Sequence, residues 1–222
     1  ATGNLIAFLD DDDEFLPEKI EKQKKLYDKL TQQGKKVGIV YCYANYIYPN
    51  KRRREVKKDF EGIPLKEHMI SCIAATSWWL CSKKVLEEIK KFDIIDSHQD
   101  ASLILKLLVA GYELYRVPEV LLNYYVHESK NGISGANMKN IKVDLYYRDI
   151  CRQHYDKLTK KEQQEVEYSF HQRLSYYYSF CGKKKEAIRE LYEMYKSSPL
   201  SLKRNAKHTI KVFVKPIIKK EY

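Results

Sequence analysis

The stretch LIAFLDDDDEFLPEKI, residues 5–20, runs from an apolar segment directly into four consecutive aspartates, Asp10–Asp13. The apolar run Leu5–Leu9 predicts a short, fully buried parallel strand. Pro17 suits the first turn of a helix that continues to about Gln33. One carboxylate would be enough to cap this helix and to complement its dipole. Because adjacent carboxylates repel one another, four of them need a further explanation.

The position of the four aspartates indicates a cation site. Ligands of open α/β sheets bind beyond the carboxyl ends of the strands, and hard cations such as Mg²⁺ and Mn²⁺ take carboxylate oxygens. An EF-hand is excluded, because Phe15 replaces the glycine that its loop requires and Pro17 falls inside the loop. The alternative is that the acidic residues act only as caps and dipole partners of the helix. Both interpretations stay open at this point.

The composition of the 222 residues allows one or two packed domains and favours an anionic partner. Lysine and arginine number 41 against 30 aspartates and glutamates, which leaves a formal net charge of +11. Such an excess suits nucleic acid, an acidic membrane surface or a phosphorylated substrate. The five cysteines are scattered and form no CxxC pair. This argues against a disulfide framework or a zinc site and fits a reducing compartment such as the cytoplasm.

Strands and helices alternate up to about residue 130, which predicts an α/β layer structure. The expected elements are strands at 37–48, 112–118 and 120–127, and helices at 64–72, 83–91 and 101–110. From about Ile141 only helical patterns follow, with a helical hairpin that Gly182 interrupts. We therefore divide the chain into an α/β domain, 1–135, and a helical region, 136–222. Because the chain opens on a strand that needs neighbours on both sides, we expect it to be the later part of a longer polypeptide.

Two segments resemble the motifs of one enzyme family. AFLDDDDEFLPEKIEKQ, residues 7–23, is similar to the Asp-x-Asp segment of family 2 glycosyltransferases with the GT-A fold, commonly written FLDxDDxxxP. Residues 75–134 resemble the second half of the domain in that family. The usual form there has a serine-containing strand, Gly-Gly-Phe-Asp-Glu, Glu-Asp at the start of an LxLRL helix, and L-x-x-Y-x-x-H. The resemblance covers about residues 1–135. The chain departs from it where Lys90 and Lys91 replace the two glycines, Gln99 the glutamate, and Lys106 the arginine.

The resemblance implies a fold and an activity. The expected fold is a truncated GT-A sheet, of the kind found in nucleotide-diphospho-sugar transferases, with flanking helices and an all-α carboxy-terminal region. The expected reaction moves a sugar, with inversion, from a UDP- or GDP-sugar to a saccharide or lipid-linked acceptor in bacterial surface-polysaccharide synthesis. The expected cofactor is Mn²⁺ or Mg²⁺, which neutralises charge on the departing diphosphate. The strands that hold the nucleobase in this family have no counterpart in these residues. We therefore expect the activity to belong to the intact protein.

The resemblance also assigns roles to the aspartates. Asp12 corresponds to the principal metal ligand, and Asp10 to a residue near the metal or the ribose. Asp10, Asp11 and Asp13 are expected to contact the donor. His127 corresponds to a residue that contacts the metal or the diphosphate in related enzymes, although a surface histidine would fit this position equally well.

The second motif supplies the residues expected on the acceptor side. Asp100 corresponds to the catalytic base, which an inverting displacement needs beside the acceptor hydroxyl. The alternative is that Asp100 caps the helix predicted at 101–110, and one aspartate can do both. Trp78, Trp79 and Gln99 correspond to positions that face the acceptor. Aromatic faces suit sugar rings, but tryptophan is also ordinary core material.

The excess of basic residues admits several explanations. We interpret residues 51–58 as a solvated loop. Segment 201–222, in which lysines recur every four residues, is either a helix that binds anionic lipid at the inner face of the membrane or a surface helix packed on the protein. The sequence has no recognisable nucleic-acid-binding motif, so we do not expect nucleic acid as a partner. The alternative to an enzyme is a non-catalytic interaction module, in which the helical hairpin recruits a partner and the α/β part is a pseudoenzyme.

Overall fold

The chain consists of two compact units. The computed structural model describes residues 1–95, 97–126, 136–198 and 202–218, and for residues 202 and 215–218 it describes the backbone only. The α/β unit comprises Ala1–Ile94 and Gln99–Glu128, and the helical unit comprises Ile95–His98 and Ser129–Tyr222. The domain boundary after residue 135 stays a prediction, because it falls next to residues outside the described ranges.

Among the described residues, the α/β unit is built on a mixed sheet of six strands. Their bounds are β1 Leu5–Ala7, β2 Glu14–Phe15, β3 Val37–Ile47, β4 Arg53–Val56, β5 Trp79–Ser82 and β6 Glu113–Tyr125. The strand order is β1-β5-β3-β6-β2, and β4 pairs with the same edge of β3 as β5 does. Strand β6 runs parallel to β3, and the other pairs are antiparallel.

The central strand is β3, which the sequence predicted at 37–48. It is rich in β-branched and aromatic residues, which suit a strand covered on both faces. All residues from Val37 to Ala44 are buried. Helix α1, Lys19–Gln32, packs against β3 and also against β5 and β6. The position of α1 is therefore fixed by the middle of the sheet.

Strand β6 replaces the two separate strands predicted at 112–118 and 120–127. Its pairing with β3 shifts register at three points, and the largest shift is where Val117 pairs with Cys42 but Val120 pairs with Tyr43. The residues left out of register at that point are Pro118 and Glu119. Because proline has no N–H to donate to a neighbouring strand, a bulge accommodates it without ending the strand.

Two predictions made from side-chain character were wrong. The apolar run Leu5–Leu9 does not form a fully buried parallel strand. Instead β1 is half-buried, pairs antiparallel with β5 along one edge, and leaves Leu9 exposed. Residues 51–58 are not a loop throughout, because Arg53–Val56 pairs with β3 while its arginine side chains stay exposed. Strand pairing uses the backbone, so charged side chains do not prevent it.

The helices predicted in the α/β unit are all found, with small differences at their ends. They are α1, α2 Leu65–Ile70, α3 Lys83–Glu88 and α4 Gln99–Val109. The end of α1 shows how the sequence specifies such a boundary. Gly34 has a φ of +76°, and the next amide, that of Lys35, donates back to the Leu30 carbonyl at 3.0 Å. This is the glycine-terminated helix end that the sequence predicted.

The helical unit contains the predicted hairpin. Its helices are α5 Met138–Arg152, α6 Lys160–Phe180, α7 Lys184–Ser197 and α8 Leu202–Ile218. A capping box of Thr159 and Glu162 begins α6, and Gly182 (φ +76°) lies in the short turn to α7. The hairpin and α8 share an apolar cluster of Tyr168, Ala187, Leu191, Met194 and Val212. The predicted fold class, an α/β sheet with flanking helices followed by an all-α region, is thus confirmed.

Helix α8 includes Pro216. The helix extends to Ile218, two residues beyond that proline. In the part of the chain that the structure describes, none of the helices combines the length and the apolar character needed to cross a membrane.

A buried amine lies at the start of α1. Only 1% of Lys19 is exposed, and its Nζ donates to Gln23 Oε1 at 2.9 Å and lies 4.0 Å from the centre of the Phe15 ring. The Gln23 amide donates in turn to the carbonyl oxygens of Val40 and Trp78, at 2.8 and 2.9 Å. Burial lowers the pKa of Lys19 to about 8, because the charged amine loses its hydration.

The pH dependence of stability should reveal this amine. The unfolded chain binds a proton at Lys19 up to the ordinary pKa near 10.5, whereas the folded protein releases it near 8. The unfolding free energy of the wild type should therefore rise between about pH 8 and 10.5, relative to Lys19→Met, by up to roughly 3 kcal/mol. Denaturant unfolding followed by tryptophan fluorescence measures this, since both tryptophans are buried in the α/β unit.

The exposed Lys25 provides the matched control for this experiment. Lys25→Met should follow the wild-type pH profile. A Lys19→Met profile that also runs parallel to the wild type would contradict a lowered pKa for Lys19.

Candidate active site

The four aspartates form a tight turn between β1 and β2. The amide of Asp13 donates to the carbonyl of Asp10 at 3.1 Å, which closes the turn. Immediately afterwards, Glu14 and Phe15 pair with β6. The chain therefore reverses direction within a few residues, and all four carboxylates lie on this reversal.

Three of these carboxylates converge. Oxygen atoms of Asp10, Asp12 and Asp13 lie within 4.8 Å of one another. Asp10, Asp11 and Asp12 are exposed, whereas Asp13 is half-buried. Carboxylate oxygens are the ligands that hard divalent cations prefer. The geometry thus brings together Asp10, Asp12 and Asp13 of the predicted site.

A serine that the sequence reasoning did not single out supports the turn. Ser77 lies in a 3₁₀ turn, Thr76–Trp78, directly before β5. It is fully buried, and its Oγ accepts a hydrogen bond from the Asp10 amide at 3.0 Å. The only signal for Ser77 was the serine-containing strand of the resembling family. No local pattern indicates that this serine meets the turn.

The turn carries carboxyl groups whose charged form is disfavoured. Burial raises the pKa of Asp10, hydrogen bonding by Ser77 lowers it, and the charges of Asp12, Asp100 and Asp11 raise it again, so that it lies above the ordinary value. The pKa of Asp13 is also raised, mainly by burial. Nearby positive charge would favour the ionised forms.

Asp13 provides the best test of whether a cation fits this site. Its Oδ1 accepts a hydrogen bond from the Tyr125 amide at 3.3 Å. Its Oδ2 is buried and has no hydrogen-bond partner in the described part of the chain. A buried carboxylate oxygen without a donor is costly. A cation coordinated by Asp13 would remove this cost, so the residues present fit a divalent metal ion.

Asp100 lies in the first turn of α4, not before it, because the helix begins at Gln99. The carboxylate is half-buried, and its Oδ1 accepts from the Ala101 amide at 2.8 Å. Its Oδ2 lies 3.7 Å from Cys72 Sγ, which is also 3.3 Å from the Ala74 carbonyl oxygen. Burial, and then the charge of Asp100, raise the pKa of Cys72 well above its ordinary value. The thiol therefore stays protonated and can donate to Asp100.

The two tryptophans predicted to face the acceptor are buried. Trp78 and Trp79 are 2% and 0% exposed. Trp79 packs against Phe8 and Phe92, and Trp78 against Tyr46. Burial beside aromatic neighbours is what the packing alternative predicts for both indoles, and their contact with an acceptor stays a prediction.

The predicted residues at the edges of the two motifs remain. Gln99 is exposed beside Asp100. His127 lies outside the described residues.

Comparison with known proteins agrees with this arrangement. Residues 1–90 match the family model described as glycosyl transferase family 2. The match falls within the α/β unit. The chain is 25% identical over 166 residues to the amylovoran biosynthesis glycosyltransferase AmsB of Erwinia amylovora. The aligned region covers 73% of this chain and 54% of that protein. It is also 25% identical over 158 residues to an uncharacterised glycosyltransferase of Methanocaldococcus jannaschii. This aligned region covers 66% of this chain and 50% of that protein.

The family 2 match includes the turn, the central strand and Ser77. The chain spans about half the length of these two curated relatives. Asp100 lies beyond the matched residues 1–90. The aspartate turn and its buried support therefore fall within the matched region.

Removing the Ser77 hydroxyl should weaken cation binding at the turn. In Ser77→Ala the Asp10 amide loses its acceptor, and the carboxyls lose a group that favours their ionised form. We expect the affinity for Mn²⁺, titrated by electron paramagnetic resonance, to fall roughly tenfold, which corresponds to one lost hydrogen bond. Ser82→Ala, at the other end of β5, is the control and should bind Mn²⁺ like the wild type. Equal affinities in both variants would show that Ser77 does not organise the turn.

Proposed function

We propose that the protein containing this chain is a metal-dependent glycosyltransferase. It transfers a sugar from a UDP- or GDP-sugar to a saccharide or lipid-linked acceptor, with inversion at the anomeric carbon. The observation that carries the proposal is the convergence of Asp10, Asp12 and Asp13 in one turn, with a buried Asp13 oxygen that has no hydrogen-bond partner among the described residues. The family 2 match over residues 1–90 supports the same reaction class.

The turn would hold Mn²⁺ or Mg²⁺. Asp12 is the leading ligand, because it corresponds to the principal metal ligand of the family it resembles and is exposed in the cluster. Asp10 and Asp13 complete the carboxylate set. His127 is a further candidate ligand from the family resemblance. When bound, the cation neutralises the charge that develops on the departing diphosphate. Asp11 and Asp13 are proposed to contact the donor alongside Asp10.

Asp100 would act as the base. In an inverting transfer the acceptor oxygen forms a bond to the anomeric carbon while the bond from that carbon to the diphosphate oxygen breaks. The acceptor hydroxyl must lose its proton, and a carboxylate beside it can take that proton. Asp100 is half-buried and receives hydrogen bonds on both oxygens, which hold it in one orientation. Gln99, exposed beside it, is proposed to contact the acceptor.

We place the reaction in bacterial surface-polysaccharide synthesis. One relative is named as an amylovoran biosynthesis glycosyltransferase, and the net positive charge of this chain suits phosphorylated substrates. The donor and acceptor of this protein follow from that analogy and not from the geometry of the turn.

Two substitutions separate binding from turnover. In the full-length protein, Asp12→Ala should abolish Mn²⁺-dependent binding of UDP or GDP in calorimetry. Asp100→Asn should leave that binding unchanged but slow nucleotide release from UDP- and GDP-hexoses by about 10²- to 10⁴-fold, the usual contribution of a general base. Glu18→Ala, which removes an exposed acid outside the cluster, is the control.

Each outcome bears on a different part of the proposal. If the full-length protein binds neither nucleotide in a Mn²⁺-dependent way, it is not a metal-dependent transferase. If Asp100→Asn turns over at the wild-type rate, Asp100 is not the base.

Helix α8 is proposed to bind the anionic inner face of the cytoplasmic membrane. It packs on α6 through a face that includes Asn205, His208 and Val212. Arg204 and Lys211 lie over the rings of Tyr168 and Tyr176, so part of the basic charge serves this packing. Among the side chains that the structure describes on this helix, the exposed ones include both apolar and basic residues: Lys203, Lys207, Ile210, Phe213 and Val214. Such a face suits a surface of anionic lipid.

Vesicle flotation tests the membrane proposal. Ile210→Glu with Phe213→Glu places two charges on the exposed face of α8 without touching its packed face. This variant should lose binding to vesicles of phosphatidylglycerol and phosphatidylcholine, whereas the wild type should float with them and ignore pure phosphatidylcholine. Ile188→Glu, at an exposed position of α7, is the control. Equal flotation of the α8 variant and the wild type would reject the proposal.

A further inference from the structure

A segment of the helical unit leads directly into the helix that carries Asp100. Ile95–His98 belongs to the helical unit, and α4 begins at the next residue, Gln99. One residue therefore separates His98 from Asp100. Whatever fixes the backbone at His98 also fixes the point from which the first turn of α4 starts.

One face of α5 holds this segment. His98 Nε2 lies 3.1 Å from Asp144 Oδ1, and the His98 ring lies 5.7 Å, between centroids, from the ring of Tyr147. The buried Ser97 donates from its Oγ to Asn140 Oδ1 at 3.5 Å. Asn140, Asp144 and Tyr147 are spaced four and three residues apart, which places them on one side of the helix. The segment is thus attached to α5 at several points.

Asp144 is itself held in a fixed orientation. It is fully buried, and Arg173 on α6 donates from its Nε to both carboxylate oxygens, at 3.0 and 2.8 Å. Burial acts to raise the pKa of Asp144, but the hydrogen bond from His98 and the charge of Arg173 outweigh it, so the pKa lies below its ordinary value. Asp144 therefore remains ionised and available as an acceptor. A paired, buried charge of this kind is costly to displace.

The backbone at His98 needs such support. Its φ is +64°, in the left-handed region that residues other than glycine seldom adopt. This conformation is strained for a residue with a Cβ atom and persists only where the surroundings enforce it. Without the bond to Asp144, His98 could relax to a negative φ. That rotation would redirect the chain just before Gln99 and move Asp100.

We propose that His98, held by Asp144, is a positioning residue that sets the place of Asp100. This inference rests on the proposed function, because it takes Asp100 as the base. It assigns the helical unit a role in turnover: α5 and α6 hold the segment from which the base is presented. The aspartate turn is supported by contacts within the α/β unit, so donor binding does not depend on this anchor.

Three variants of the full-length protein test the proposal. His98→Ala removes the bond to Asp144, whereas His98→Gln keeps an N–H donor near the position of Nε2. His171→Ala is the matched control, because His171 is also largely buried and bonds a carboxylate, Glu190, at 2.6 Å within the helical unit, but it does not precede α4. Nucleotide release from UDP- and GDP-hexoses gives kcat and KM, and calorimetry gives the Kd for UDP or GDP with Mn²⁺. Hydrogen–deuterium exchange of the segment 97–103 reports on the start of α4 without requiring activity.

We expect His98→Ala to lower kcat by about 10- to 100-fold, as a misplacement of about 1 Å can do, while KM and Kd change less than twofold. Exchange in segment 97–103 should increase in His98→Ala alone, and His98→Gln should recover most of kcat. A wild-type kcat in His98→Ala, or an equal fall in His171→Ala, overturns the proposal. If the wild type releases no nucleotide, the proposed function fails, and unchanged exchange in His98→Ala then overturns the anchor independently.

Discussion

The mutual repulsion of Asp10, Asp12 and Asp13 is the constraint around which the α/β unit is arranged. Their oxygens lie within 4.8 Å of one another, a separation at which two unit charges repel by about 1 kcal/mol in water and about 3 kcal/mol near a protein surface. Folding alone gains nothing from this cost. The turn is nevertheless closed by its own backbone and held by Ser77 and the Tyr125 amide. The fold therefore keeps the repulsion in a fixed geometry that a cation would relieve.

Ser77, which bonds the turn, is next to a network of buried polar groups. Ser77 precedes Trp78, whose carbonyl accepts from Gln23, and Gln23 also donates to Val40 in the central strand. These bonds join α1, β3 and the 3₁₀ turn before β5. Lys19 donates to the same glutamine, although its burial disfavours the charged amine. A satisfied buried network specifies one arrangement of its elements, and here that arrangement sets where Ser77 meets Asp10.

Sequence patterns predicted the features whose signal lies within a short window. The end of α1 at Gly34, the central strand β3 and the aspartate cluster belong to this class. Features that depend on pairing partners were missed: the apolar run at β1 lies at a sheet edge, and the basic segment at β4 pairs through its backbone. The bonds from Asp10 to Ser77 and from His98 to Asp144 connect residues 67 and 46 positions apart. No periodicity within a window encodes such distances.

The aspartate turn and the residues just before Asp100 are held by different parts of the chain. This difference gives the helical unit a role in the proposed site. The aspartate turn depends on the α/β sheet, whereas the residues just before Asp100 are bonded to α5. The buried pair of Asp144 and Arg173 could, if it served stability alone, be replaced by apolar side chains of similar volume at little cost. Apolar side chains could not orient an imidazole or hold a left-handed residue in place. The value of Asp144 therefore lies in the direction it gives to His98, and through it to the start of α4.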